Sequence, residues 1–331
     1  MSTSQKYVAN YFLVAKAIID KHKPDAIVTM QFFQRKAKAI LCGINEVLRF
    51  LETNTDTSKY SIKYLPEGSH IQALEPVLEL EGHYRDFGIY EGVIDGILAR
   101  STSIATNAYE CKMAAGGKDI IYMGDRGDHY LNQEIDGHAV EVGGLTGHST
   151  MAGSRGNADV IFGSIPHALI QHFGGDLVAA MQAYRDVFPH EKALFALVDF
   201  NNDVIGDALK VLQVFGSQLA GVRVDTAKNM VDKMFANEPP QFGVNVTQIK
   251  RLRAALDQHG GRHVQIVVSS GFTPEKISAF EAQQAPVDAY GVGDFILKVN
   301  IGFTCDAVKH NGQPIAKVGR TYRLNPRLIQ Y

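Results

Sequence analysis

After residue 117 the chain repeats one grammar five times: a short apolar run, a polar or glycine-rich loop, then a segment of helical spacing. The units are ADVIFGSIPHALIQHF, ALFALVDFNNDVIGDALKVLQVF, LAGVRVDTAKNMVDKMF, VQIVVSSGFTPEKISAFEAQ and VDAYGVGDFI. Runs this rich in Val, Ile, Leu and Phe, with no polar alternation, read as strands buried on both faces, the environment of a parallel sheet with helical crossovers. The expected fold class is therefore α/β, with an irregular parallel βα barrel over residues 117–299. A doubly wound open sheet is the alternative, because nothing in the pattern says how the sheet closes.

The flanks follow another pattern. YVANYFLVAKAIIDKH and RKAKAILCGINEVLRFLE carry apolar residues at helical spacing, and EGVIDGILARSTSIATNAYECKMAA predicts a long helix. From Lys63 to Tyr90 apolar and polar residues alternate between Pro-Glu-Gly and Glu-Gly turns, as in short antiparallel strands. Residues 1–116 are thus expected to form an N-terminal α+β sandwich domain. The tail 300–331 holds no further βα unit and is expected to fold back and complete it.

Lys and Arg total 33 against 35 Asp and Glu, so no overall field draws the chain to nucleic acid or to an anionic membrane. Any anion site must be local. No segment approaches the roughly 20 apolar residues that span a bilayer. Cys42, Cys111 and Cys305 are far apart and form no CxxC, which suits a reducing compartment, and the expected location is the cytoplasm.

In parallel βα architectures the sites lie at the carboxyl ends of strands. His167 follows the apolar run VIF, Asp199 ends ALFALV, and Arg223 and Asp225 follow LAGV. Ser164 is expected to cap a helix with Pro166 in its first turn. His167 would then stand where unpaired N–H groups favour an anion, or else serve as a capping or packing histidine. Arg223 and Asp225, two apart on a strand, share a face and form either a buried pair bridging core layers or part of a site. Carboxylates at two successive strand ends are costly unless something cationic lies between them, and a magnesium-bound polyphosphate or a cationic ring would serve. Ser269-Ser270-Gly271 and Gly291-Val292-Gly293, at the last two strand ends, offer short side chains and free N–H groups for a phosphate. Arg126 and His129 lie in a glycine-bounded turn, YMGDRGDHY.

Taken together, GSIPHALI, LVDF, GVRVDT, VVSSGF, DAYGVG, IGFTCDAV and PIAKVGR occur in the order found in the nicotinate phosphoribosyltransferase family, part of the wider nicotinate, nicotinamide and quinolinate group, which the chain resembles over nearly its whole length. VTMQFFQRK and YEGVIDGILARSTSIAT are similar as well. The resemblance implies transfer of a phosphoribosyl group from phosphoribosyl pyrophosphate to nicotinate, giving nicotinate mononucleotide in NAD biosynthesis. It also implies Mg2+ bound with the phosphoribosyl donor and ATP as co-substrate, coupled through a phosphorylated histidine that matches His167. By motif, Asp199, Arg223 and Asp225 would line the pocket, and Ser270, Gly271, Gly291 and Gly293 would hold the 5′-phosphate, with Arg126 as a further contact. Phe32 matches an aromatic residue that stacks on the ring from a neighbouring subunit, so a homodimer with shared sites is implied. Four positions depart from the pattern. Met30 and Phe32 stand for an acid and a phenol, Met123 for an aromatic residue, and Asp294 follows Gly-Val-Gly where a neutral residue is usual. A quinolinate-type substrate, doubly anionic, calls for more Arg and Lys than these loops supply.

Overall fold

The computed structural model describes residues 4–191 and 193–331. Its helices are α1 (Asn10–His22), α2 (Ile44–Asn54), α3 (Tyr84–Phe87), α4 (Glu91–Ala114), α5 (Gln133–Val142), α6 (His167–His172), α7 (Leu177–Val187), α8 (Val204–Phe215), α9 (Val246–Gln258) and α10 (Pro274–Ala282). The strands are β1 (Ile27–Gln34), β2 (Lys38–Ile40), β3 (Ser61–Tyr64), β4 (His70–Gln72), β5 (Leu78–His83), β6 (Asp119–Tyr122), β7 (Gly147–His148), β8 (Leu194–Leu197), β9 (Leu219–Val224), β10 (Gln265–Val268), β11 (Ala289–Val292), β12 (Phe303–His310), β13 (Gln313–Pro314) and β14 (Ile329–Gln330). Two compact units divide the chain. The first takes residues up to Asn107, Ala139–Gly144 and Lys298–Tyr331, and the second takes Ala108–His138 and Leu145–Leu297. No helix among the described residues is long and apolar enough to cross a membrane.

The first unit is built on an antiparallel sheet in the order β13-β12-β1-β5-β3-β14, with β2 and β4 paired separately. The tail therefore supplies three of the six strands, β12 beside β1 and β14 beside β3. On β1 the side chains alternate. Met30 and Phe32 enter an apolar core with Leu78, Leu80, Ile94 and Cys305. Gln31 points the other way, yet it is only 1% exposed, because its amide donates to the Arg323 carbonyl (2.8 Å) and accepts from the Arg323 N–H (3.0 Å). Coverage of both faces is why MQFFQ shows no alternation that would mark a strand. The segment RKAKAILCGINEVLRFLE, expected to be helical, begins as β2 and turns helical only from Ile44, after Gly43 at φ 94°.

The second unit holds a six-stranded parallel sheet, order β7-β6-β11-β10-β9-β8, curled into a half barrel. Its short strands are buried along nearly their whole length, as apolar runs such as LFAL and QIVV require. The helices that follow start on side-chain caps that satisfy otherwise orphaned N–H groups. Asp176, Asp203, Asn245 and Thr273 accept from the third helical residue at 3.0, 3.0, 2.9 and 3.3 Å. Two details differ from expectation. VIF is no strand, because Asn157 caps a 3-10 turn over Ala158–Val160 and only Ile161 bridges to His148. Ser164 does not cap α6. Pro166 takes that position in an extended conformation without a side-chain hydrogen bond, and His167 is the first helical residue.

Candidate functional site

Residues just past β6, β8, β9, β10 and β11, with the start of α6, line one cavity of about 1050 Å³ within the second unit. His167, Asp199, Arg223, Asp225, Ser270, Gly271, Gly291, Gly293 and Arg126 all contribute to its wall. Phe32 does not. It belongs to the first unit, is 1% exposed, and is enclosed by apolar neighbours, so its ring has no free face to offer a ligand from either subunit. The stacking role expected for Phe32 is therefore withdrawn.

At the β8 end, Nε2 of His167 lies 3.2 Å from both carboxylate oxygens of Asp199. The imidazole is 44% exposed and the carboxylate 7%, so the pair presents the ring and hides the charge. Burial pushes the Asp199 carboxyl up, opposed by His167 and reinforced by the negative charge of Asp225. With Asp199 holding the Nε2 proton, Nδ1 is left as the basic and nucleophilic nitrogen.

At the centre, Ser269 Oγ donates to Asp225 Oδ1 at 2.6 Å, which fixes one oxygen and leaves the other for a ligand. Arg223 and Asp225 both reach the cavity, as the period of two requires, but they do not form an ion pair among the described residues. The guanidinium Nη1 instead lies 4.0 Å from Met123 Sδ, and Nε is buried without a hydrogen-bond partner. A cation held without a counter-charge is ready for an anionic ligand.

The two glycine loops differ. A Cβ on Gly291 would lie 2.6 Å from Met123 Sδ, and one on Gly293 would lie 2.4 Å from the Met123 carbonyl. Glycine is needed there because Met123 occupies the space. Gly271, at φ 68° beside Ser270 at φ 77°, meets nothing within 4 Å and faces open cavity. A left-handed serine is an uncommon conformation that costs free energy and is found disproportionately at ligand sites.

Among the wall residues not singled out in the sequence are Phe200, Asn202, Lys228 and Lys276. Phe200 and Asn202 stand in the same loop as Asp199, one and three residues on, and a systematic reading of each strand end would have found them. The ring of Phe200 lies 6.4 Å from that of His167. Lys276 sits in the first turn of α10, six residues past Ser270, beyond the reach of a strand-end rule. Among the described wall residues, Arg126, Arg223, Lys228 and Lys276 face the four carboxylates Asp125, Asp199, Asp225 and Asp294. With the charges matched in this way, a polyanion is accommodated only if a cation offsets the acids.

The profile of the quinolinate phosphoribosyl transferase N-terminal domain matches residues 11–102. The fold matches that of nicotinate-nucleotide pyrophosphorylase from Pyrococcus furiosus at 30% identity and a TM-score of 0.83, covering 96% of this chain and 78% of that one. The chain belongs to the nicotinate phosphoribosyltransferase family. Nicotinate phosphoribosyltransferase pncB1 of Mycobacterium tuberculosis is 28% identical over 223 residues, covering 66% of this chain and 46% of the relative. Nicotinate phosphoribosyltransferase of Bacillus subtilis is 27% identical over 240 residues, 71% of this chain and 44% of the relative. This family member thus spans about half the length of the curated relatives it matches. Human nicotinic acid phosphoribosyltransferase shares the fold, with a TM-score of 0.69 at 18% identity, covering 93% of this chain and 75% of that one.

Proposed function

We propose that the protein transfers a phosphoribosyl group from phosphoribosyl pyrophosphate to nicotinate, giving nicotinate mononucleotide and pyrophosphate for NAD biosynthesis. One observation carries the reading: an oriented imidazole, four carboxylates and four cations share one cavity at the carboxyl ends of a parallel sheet. The pyridine nitrogen forms a bond to ribose C1 as the bond from C1 to the pyrophosphate oxygen breaks. Positive charge builds on the ribose in that transition state, and the carboxylates of Asp199 and Asp225 would stabilise it. Arg223, on β9, and Lys228, in the loop that follows it, would hold the leaving phosphates. Phe200 offers an aromatic face in this wall, which suits it to stack on the pyridine in place of Phe32.

The oxygen donors of Asp199 and Asp225 fit Mg2+, a hard cation usually bound by one or two carboxylates together with substrate phosphates. When bound, it would neutralise the leaving group. ATP enters through His167, whose Nδ1 would form a bond to the γ-phosphorus as the bond to the β-phosphate oxygen breaks and ADP leaves, while Asp199 holds Nε2–H. Hydrolysis of that phosphohistidine would then drive the ligase-type coupling. The working form in this reading is a cytoplasmic homodimer.

Incubation with nicotinate, phosphoribosyl pyrophosphate, Mg2+ and ATP tests it. Nicotinate mononucleotide is expected, and His167→Ala should lose the dependence on ATP. Nicotinamide is the competing substrate and is run in parallel. Absence of product with either overturns the catalytic reading. The second reading, a homologue that holds a phosphoribosyl ligand without turnover, is favoured by Met123 filling the space at Gly291 and Gly293. Calorimetry showing phosphoribosyl pyrophosphate bound and not consumed would select it.

A further inference from the structure

We propose that Asn202 is a positioning residue for the phosphoribosyl transfer: it ties the loop that carries Asp199 to the loop that carries Lys228, and so sets where the Lys228 ammonium meets the leaving pyrophosphate. The proposal deepens the phosphoribosyl reading and rests on it.

Asn202 and Lys228 both line the cavity, on neighbouring loops. Asn202 holds the left-handed conformation at φ 52°, which few side chains other than asparagine adopt readily. That turn lets its polar groups face different ways. Its N–H donates to the Asp199 carbonyl at 3.0 Å and closes the loop after β8 on itself. Its carbonyl accepts from the Lys233 N–H at 2.8 Å, and its Nδ2 donates to the Val231 carbonyl at 2.7 Å, so two bonds cross to the segment after β9. A third crosses beside them, from the Val204 N–H to Oδ2 of the buried Asp232 at 3.0 Å. Lys228 hangs from the far side of this seam. The Met230 N–H donates to the Ala227 carbonyl at 2.9 Å and closes a turn round Lys228, while a Cβ on Gly243 would come within 3.1 Å of Lys228 Cα. The Lys228 side chain is exposed and has no hydrogen bond or ion pair among the described residues. Its place in the wall is therefore set by the backbone of its own turn, and Asn202 anchors that backbone three residues on.

Titration calorimetry with inorganic pyrophosphate at fixed Mg2+ tests this without requiring turnover. Asn202→Gly keeps the left-handed conformation and removes only the side-chain bond, and it should weaken pyrophosphate binding about three- to tenfold, the range of one neutral hydrogen bond. Lys228→Met should weaken it about tenfold or more, the size of a lost charge-assisted bond. The doubly substituted protein separates positioning from a general structural role. If Asn202 acts through Lys228, Asn202→Gly has nothing left to disturb once the ammonium is gone, and the double variant should bind within about 1.5-fold of Lys228→Met alone. Asp232→Asn turns one acceptor of the same seam into a donor and should follow the same pattern, which keeps the test open should circular dichroism show Asn202→Gly unfolded. Wild-type affinity in folded Asn202→Gly, or an equal loss with and without the Lys228 ammonium, would overturn the proposal and leave the phosphoribosyl reading intact. Wild-type affinity in Lys228→Met would overturn the proposal together with the role given to Lys228, and a wild-type protein that binds no pyrophosphate would overturn the phosphoribosyl reading as well.

Discussion

Glu91 and Asp95 stand one helical turn apart on α4 and share a half-buried site with Asp306 of β12, itself ion-paired to Arg320 at 2.9 Å. Oδ1 of Asp95 is buried without a hydrogen-bond partner. Burial first, and neighbouring negative charge second, push both carboxyls up to about 7. Between the ordinary carboxylate range and pH 7 the folded chain therefore holds protons that the unfolded chain has released. Stability falls as pH rises through that window and levels off above it. Asp95→Asn removes one charge from the cluster. A carboxyl raised by about three pH units forfeits at most about 4 kcal/mol at pH 8, and solvent screening at a half-buried site reduces this to about 1–2 kcal/mol. Urea denaturation followed by far-ultraviolet circular dichroism, at pH 5 and pH 8, measures it. The variant should be more stable than wild type at both pH values, by roughly 0.4 of that amount at pH 5 and by all of it at pH 8. An equal loss for both proteins between the two pH values would refute the reasoning, since every other titrating group is common to them.

Three further outcomes are expected. Gly293→Ala places a methyl group against the Met123 carbonyl and should cost about 1–3 kcal/mol, the usual penalty of overpacking, so an unchanged thermal midpoint would contradict the packing described. Asp199→Asn should lower turnover about a hundredfold or more, because the amide neither holds a charged imidazole nor offers an anionic oxygen to Mg2+; wild-type turnover would remove Asp199 from the chemistry. Cys42, Cys111 and Cys305 are buried, and burial raises their thiols above the ordinary range, so a thiol reagent should label none of them in minutes under native conditions and all three in denaturant.

The half barrel was legible because its strands carry the strongest signal a sheet can write, uninterrupted apolar runs followed by loops and helical periods. The strand-end rule then reached His167, Asp199, Arg223, Asp225 and the serine-glycine loop, which meet in one cavity. The rule was less informative where a contact is not local. Gly291 and Gly293 look like a phosphate cradle, but the residue that requires them, Met123, lies more than 160 positions earlier. Motif matching placed Phe32 at a site while the alternation of β1 turned it into the core, a facing set by the register with β5 and β12. Ser164 and Pro166 matched the residue preferences of a helix start, yet the helix began two residues later than a cap at Ser164 requires. The Asn311-Gly312 turn, with φ 46° and 76°, was a readable hairpin signal between β12 and β13 that the βα grammar overshadowed.

Because β12, β13 and β14 enter a sheet begun by β1, that sheet cannot close until the ribosome has made residues 303–330. Between Asn107 and Lys298 lie about 190 residues, which at roughly 5–20 residues per second means a wait of about 10–40 s. Throughout it, the β1 edge that will receive β12 is open, and a nascent chain with such an edge is where chaperone engagement should concentrate.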